Sequence, residues 1–125
     1  MKFISAKAHT IIGLAVGIAL LVAPYIFMFS DDSSASMVAM IVGAFIIVNE
    51  FITTSPASLL KLVPVRVHII IDILTGLVLA ASPWLLGFYD TPVNHWLPHL
   101  IVGALVVGYA LMTVVPADDT PAVET

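Results

Sequence analysis

His68 and Asp72 stand four residues apart in a long apolar run, so on a helix they would share one face. Ionisable groups are costly in such runs, and each is by default a site hypothesis. His9 and Glu50 hold comparable places in earlier apolar runs, with Asn49 next to Glu50. Residues of this kind suit three tasks: a hydrogen-bonded clasp between helices, a proton or cation path, or a metal centre. The clasp is the expected reading, with Asp72 bonded to His9 or His68 and Glu50 paired with Lys61 or Arg66. A path would need further polar residues through the middle of a span, and none follow. For a metal, His-x-x-x-Asp supplies two ligands and no spacing fixes a third, so no metal is assigned. His95 and His99 are also four apart, flanking Trp96 and Pro98, and read as the start of a helix at an interface.

No nucleophile–base arrangement, Gly-rich phosphate loop or cofactor motif appears elsewhere, and there is no cysteine. The chain is therefore expected to be neither an enzyme nor a cofactor protein. With four Lys and Arg in total it has no basic patch for a phosphate backbone, which removes nucleic acid as a partner.

The elements that must hold the polar residues follow from composition. Of the 125 residues 61% are hydrophobic and 10% charged. Soluble domains run near roughly 45–50% apolar and about 25% charged, so the expected solvent is a lipid bilayer. Four apolar stretches run from about Ala8 to Phe29, Ser36 to Thr53, Arg66 to Phe88 and Trp96 to Val115. Each is near the ~20 residues a spanning helix needs, and lipid leaves no alternative for an isolated segment. The expected fold class is an all-α membrane protein of four transmembrane helices. Residues 1–115 form one domain, and 116–125 an acidic, disordered tail. The linker 54–64, with Ser55-Pro56 as a start signal and Pro64 as a stop, reads as a short interfacial helix or an ordinary loop.

Orientation comes from the four cations. Lys2, Lys7, Lys61 and Arg66 all fall at the N-terminus or in the middle linker, and the other two loops have none. The positive-inside rule then places both termini in the cytoplasm of a cell with this protein in its inner or plasma membrane. Tyr25, Phe27, Phe29, Trp84, Phe88, Tyr89 and Trp96 gather at the opposite end as an expected aromatic belt.

Slid on itself by 59 positions, the sequence pairs His9 with His68, Gly17 with Gly76, Pro24 with Pro83, Phe29 with Phe88 and Asp31 with Asp90. At an offset of 60, after one extra loop residue, Gly43 meets Gly103, Ala44 meets Ala104 and Thr53 meets Thr113. Each unit is one helix hairpin, about 7–53 and 66–113, and the two must be parallel because each has an even number of spans. This repeat also argues that the first run is kept as a helix and is not a cleaved secretory signal.

Small residues point to packing faces. Gly13 and Gly17 form a small-xxx-small pattern, and Gly43, Gly76 and Gly103 sit at comparable places. The first and third helices are expected to pack through Gly13, Gly17 and Gly76, so that His9, His68 and Asp72 meet. Glu50 and Asp72 lie about 6 and 9 Å from their helix ends at 1.5 Å per residue, which puts all five polar residues in one layer near the cytoplasmic side.

Ala81-Ser82-Pro83-Trp84-Leu85-Leu86-Gly87-Phe88 is the most distinctive stretch. Proline frees the carbonyl four residues earlier and loosens the helix end, while Ser82 can satisfy that carbonyl, Trp84 can anchor at headgroup level and Gly87 permits a close turn. With the hairpin repeat, the stretch resembles the SPW-repeat family of small bacterial membrane proteins, over about residues 7 to 115. The first copy departs from it, with Ala23-Pro24-Tyr25 in place of Ser82-Pro83-Trp84. The resemblance implies the fold and the membrane location and carries no activity. The expected role is structural or accessory, as a homo-oligomer or beside other membrane proteins. A channel or carrier using the polar layer is the second expectation.

Overall fold

The computed structural model describes residues 2–53 and 62–115. Four helices account for most of them: α1 (Ala6–Ile26), α2 (Ser33–Ile52), α3 (Val65–Leu85) and α4 (Val93–Leu111). All four are long and apolar enough to cross a membrane. At 21 residues, α1 and α3 reach about 31 Å, the thickness of a hydrocarbon core. The protein is an all-α, four-helix membrane protein. The expected interfacial helix and the acidic tail fall on residues 54–61 and 116–125, outside the described residues. Pro92 precedes the first turn of α4, which begins three residues before the expected Trp96.

Local chemistry sets the helix ends. The Ser5 side chain accepts from the Ala8 amide (3.1 Å), and that of Asp32 from the Ala35 amide (3.2 Å), so each satisfies a first-turn donor. At the far ends of α1 and α3 lie Pro24 and Pro83. Pro83 leaves the Leu79 carbonyl without its helical donor, and the Ser82 hydroxyl donates to it at 2.6 Å. Ala23, at the equivalent place in α1, has no hydroxyl to do this.

Both proline-bearing helices then close with the same turn. The Phe88 amide donates to the Pro83 carbonyl and the Phe29 amide to the Pro24 carbonyl, each at 2.8 Å. A turn of this kind needs left-handed backbone before the donor, found at Gly87 (φ 77°) and Met28 (φ 58°). It folds Phe29 and Phe88 back into the bundle, where they are 0% and 3% exposed. Those two rings are core residues and not part of the aromatic belt. Tyr25, Phe27, Trp84 and Tyr89 are exposed at this end, and Trp84 meets Trp96 edge-on at 6.1 Å.

The tight helix pairs are α1 with α2 and α3 with α4, with lighter seams between α2 and α3 and between α4 and α1. Glycine makes the tight pairs possible. A Cβ on Gly17 would come within 2.9 Å of the Gly43 carbonyl, and one on Gly76 within 2.8 Å of the Gly103 carbonyl. Such approach of two backbones is open only to residues without a side chain. The glycine faces therefore close each hairpin on itself, and the expected packing of α1 on α3 through Gly13, Gly17 and Gly76 does not occur. Periodicity identifies the face but not the helix it meets. Gly13 has another use: its bare face is where the Glu50 side chain lies.

The middle and far parts of the bundle are filled by Leu20, Ile46, Leu79 and Val106, all at most 2% exposed. At the near end each hairpin is tied to the other. The Phe3 and Ile4 amides donate to the Met112 carbonyl, and the Leu62 and Val63 amides to the Ile52 carbonyl. Isolated bridges pair Ile4 with Thr113 and Thr53 with Val63. The segment before each hairpin thus holds the segment that ends the other.

Candidate functional site: a buried polar centre

These ties place Thr53 and Thr113 beside the histidines of the opposite hairpin. Thr53 follows α2 and meets His68 of α3, with Oγ1 2.6 Å from Nδ1. Thr113 follows α4 and meets His9 of α1 at 2.7 Å. Each hydroxyl has one proton and a backbone carbonyl to receive it, Asn49 for Thr53 (2.6 Å) and Tyr109 for Thr113 (2.7 Å). Towards the ring each threonine can then only accept. Both histidines must therefore carry a proton on Nδ1, and in the neutral imidazole Nε2 is left as a bare lone pair.

Both Nε2 atoms point to one spot. They lie 3.0 Å apart, and Asp72 Oδ2 is 2.8 Å from His9 Nε2 and 3.1 Å from His68 Nε2. Glu50 Oε1 completes the group, 3.1 Å from His68 Nε2 and 3.6 Å from His9 Nε2. Close in distance, Glu50 is not aligned for hydrogen bonding, and both of its oxygens are buried without a hydrogen-bond partner. Asn49 Nδ2 donates a long bond (3.4 Å) to the second Asp72 oxygen. The four ionisable side chains are between 0% and 3% exposed. Beside them is a cavity of about 10 Å³ lined in part by His9, Thr10, Glu50, Thr53 and His68.

The structure brings His9, Asn49, Glu50, His68 and Asp72 together in one buried group, although α1 and α3 do not pack through glycine. Glu50 faces the histidines. Of its two expected partners Lys61 lies outside the described residues, and Arg66 is exposed on α3. Three members escaped the sequence reading. Thr53 and Thr113 matched in the repeat, and a hydroxyl one helix end from each histidine was a usable signal. Tyr109, which packs edge-on against His9 at 4.9 Å, gave none.

At the opposite end His95 and His99 do more than begin a helix. His95 Nδ1 lies 3.0 Å from Asp32 Oδ2, and His99 Nε2 donates to the Ala35 carbonyl at 2.9 Å. Asn94 donates to the Phe27 carbonyl at 2.7 Å. Together they fasten α4 to the first hairpin. Burial raises the proton affinity of Asp32, but the His95 bond and the Ala35 amide outweigh it and leave its carboxyl below the usual 3.8.

Compared with known proteins, residues 7–113 match the family model described as SPW repeat domain. The chain belongs to the SPW repeat family. That span takes in nearly all of α1, all of α3 and every member of the polar centre. Neither a curated protein nor a solved structure matches the chain. In this SPW repeat protein the Ser-Pro-Trp residues shape the far end of α3, while the polar centre lies at the near ends of the helices.

Proposed function

We propose that this SPW repeat protein is a structural or accessory component of the cell membrane, with both termini in the cytoplasm, and that it is not an enzyme. The carrying observation is the interior between the two ends. Above the polar centre Leu20, Ile46, Leu79 and Val106 fill the bundle, so among the described residues the centre joins helices and opens no polar route across them. This arrangement weighs against the conduit reading, which would need polar side chains or water at that level.

Association with a second copy or with other membrane proteins is the work left to its surface. Gly108 supports this. An added Cβ there would meet nothing within 4 Å, unlike those at the five glycines packed inside the chain. It lies in an apolar groove between α1 and α4 with Ile12, Val16 and Leu105. Bare backbone of this kind lets another helix approach closely.

Sizing of the full chain in mild detergent, with identification of what co-isolates from native membranes, tests the proposal. A complex that Gly108→Leu breaks without loss of helix content supports it. A monomer that brings nothing along contradicts it, and cation flux in proteoliposomes above that of empty vesicles would favour the conduit. Because the chain has no cysteine, single cysteines placed at Lys7 and Asp90 report orientation. Only the one at position 90 should react with an impermeant reagent from outside.

A further inference from the structure

We propose that His9, Glu50, His68 and Asp72 bind one divalent transition-metal cation of the zinc class. The inference goes beyond a structural role and does not depend on it. Four ligand atoms, one from each side chain, lie within 4.8 Å of one another. Ligands about 2.0–2.1 Å from a tetrahedral ion are themselves about 3.3 Å apart. The five distances given for this group run from 2.8 to 3.6 Å and straddle that value. Five of the six donor–donor separations are thus close to those a small tetrahedral ion requires, and the four atoms all lie within 4.8 Å of one another.

The hydrogen-bond directions point the same way. With Thr53 and Thr113 taking the Nδ1 protons, both imidazoles are held in the tautomer that offers Nε2 to a metal. This is the usual service of the groups behind histidine ligands, which fix the ring and its tautomer through the other nitrogen. Asn49 Nδ2 adds a long bond (3.4 Å) to the other Asp72 oxygen.

Without a cation, two facing lone pairs and two carboxylates would share a buried space with a cavity of only about 10 Å³ beside it. Glu50 is the sharpest sign, being 0% exposed with neither oxygen hydrogen-bonded. Buried charge is stable only when paired or coordinated. Two carboxylates carry the charge that balances a divalent ion, and two imidazoles favour zinc and its neighbours over magnesium or calcium. The rival occupant is a pair of protons shared among the same four groups, which would make the centre a clasp alone.

Cobalt(II) is the probe, since its visible spectrum distinguishes tetrahedral from octahedral coordination. The full chain in mild detergent is stripped with a chelator and titrated with Co²⁺, then with Zn²⁺. The proposal expects one tetrahedral Co²⁺ per chain, displaced by Zn²⁺, and one zinc-class metal per chain by elemental analysis of protein taken directly from membranes. E50Q and D72N should weaken binding by about 100-fold or more. If either fails to fold, T53V/T113V decides, because it leaves all four ligands in place and should weaken binding about 10- to 100-fold. No tetrahedral spectrum in the wild-type protein, or unchanged affinity in T53V/T113V, would overturn the metal site and leave the shared-proton clasp.

Discussion

The two hairpins solve the same problems with different residues. At the kink, the second hairpin has Ser82 to cap the freed Leu79 carbonyl and Gly87 to take the left-handed turn. The first has Ala23 and Met28 at those places, with neither the hydroxyl nor the easy backbone. At the polar centre the differences are complementary. Asp72 in the second hairpin corresponds to Gly13 in the first, and Glu50 in the first corresponds to Ala110 in the second. Each hairpin thus gives one histidine, one carboxylate and one threonine, but the acid comes from the first helix of one and the second helix of the other. The space Glu50 needs is opened by Gly13. The two acids therefore stand on different helices, and Glu50 fills the space that Gly13 leaves.

The comparison breaks most severely where the hairpins are alike. Gly43→Val and Gly103→Val each force a side chain against backbone and should cost about 3 kcal/mol in thermal unfolding followed by helix content. Gly108→Ala, with open space around it, should instead be neutral or stabilise by up to about 1 kcal/mol.

Exchanging the kink residues sharpens the contrast. Ser82→Ala leaves the Leu79 carbonyl without a donor in lipid and should cost about 1–2 kcal/mol, whereas Ala23→Ser should gain up to about 1 kcal/mol by capping Leu20. At the turn, Gly87→Met should cost about 1–2 kcal/mol and Met28→Gly return about 1 kcal/mol, as denaturant titrations would show. Equal effects in the two hairpins would mean that the kinks are not doing different things.

The smallest effect concerns the latch of Asp32 on His95. Asp32 has a depressed proton affinity, so its contribution is present above the ordinary carboxylate value of 3.8 and is lost as pH falls through the lower folded value. Wild-type protein should lose slightly more stability below that pH than Asp32→Asn, which keeps the helix cap but cannot titrate. Parallel pH profiles would remove the latch from the account.

Much of this was legible in the sequence, and the failures have physical causes. Spans were readable because lipid tolerates only long apolar helices, and the Ser82 cap because proline always frees the same carbonyl. Depth from the helix ends and the repeat put His9, Asn49, Glu50, His68 and Asp72 at one level. Glycine partners did not, since small residues at helical spacing define a face and leave open which neighbour meets it. Phe29 and Phe88 differ from the expected belt because a ring near the membrane surface can face either lipid or core, and only the turn at Met28 and Gly87 sends these two inward. The two threonines were hidden by topology. Each serves the hairpin to which it does not belong, through ties that no local pattern records.

That the two hairpins complete one shared centre with one acid each is tested most directly by moving an acid. Thermal stability in detergent is measured for the wild type, for Glu50→Ala, and for Gly13→Asp combined with Glu50→Ala. The single change removes one buried charge from a balanced group and should cost about 3–5 kcal/mol. In the double variant the new aspartate occupies the space vacated by Glu50, at the position equivalent to Asp72, and most of the loss should return. A double variant no more stable than Glu50→Ala would contradict the shared centre.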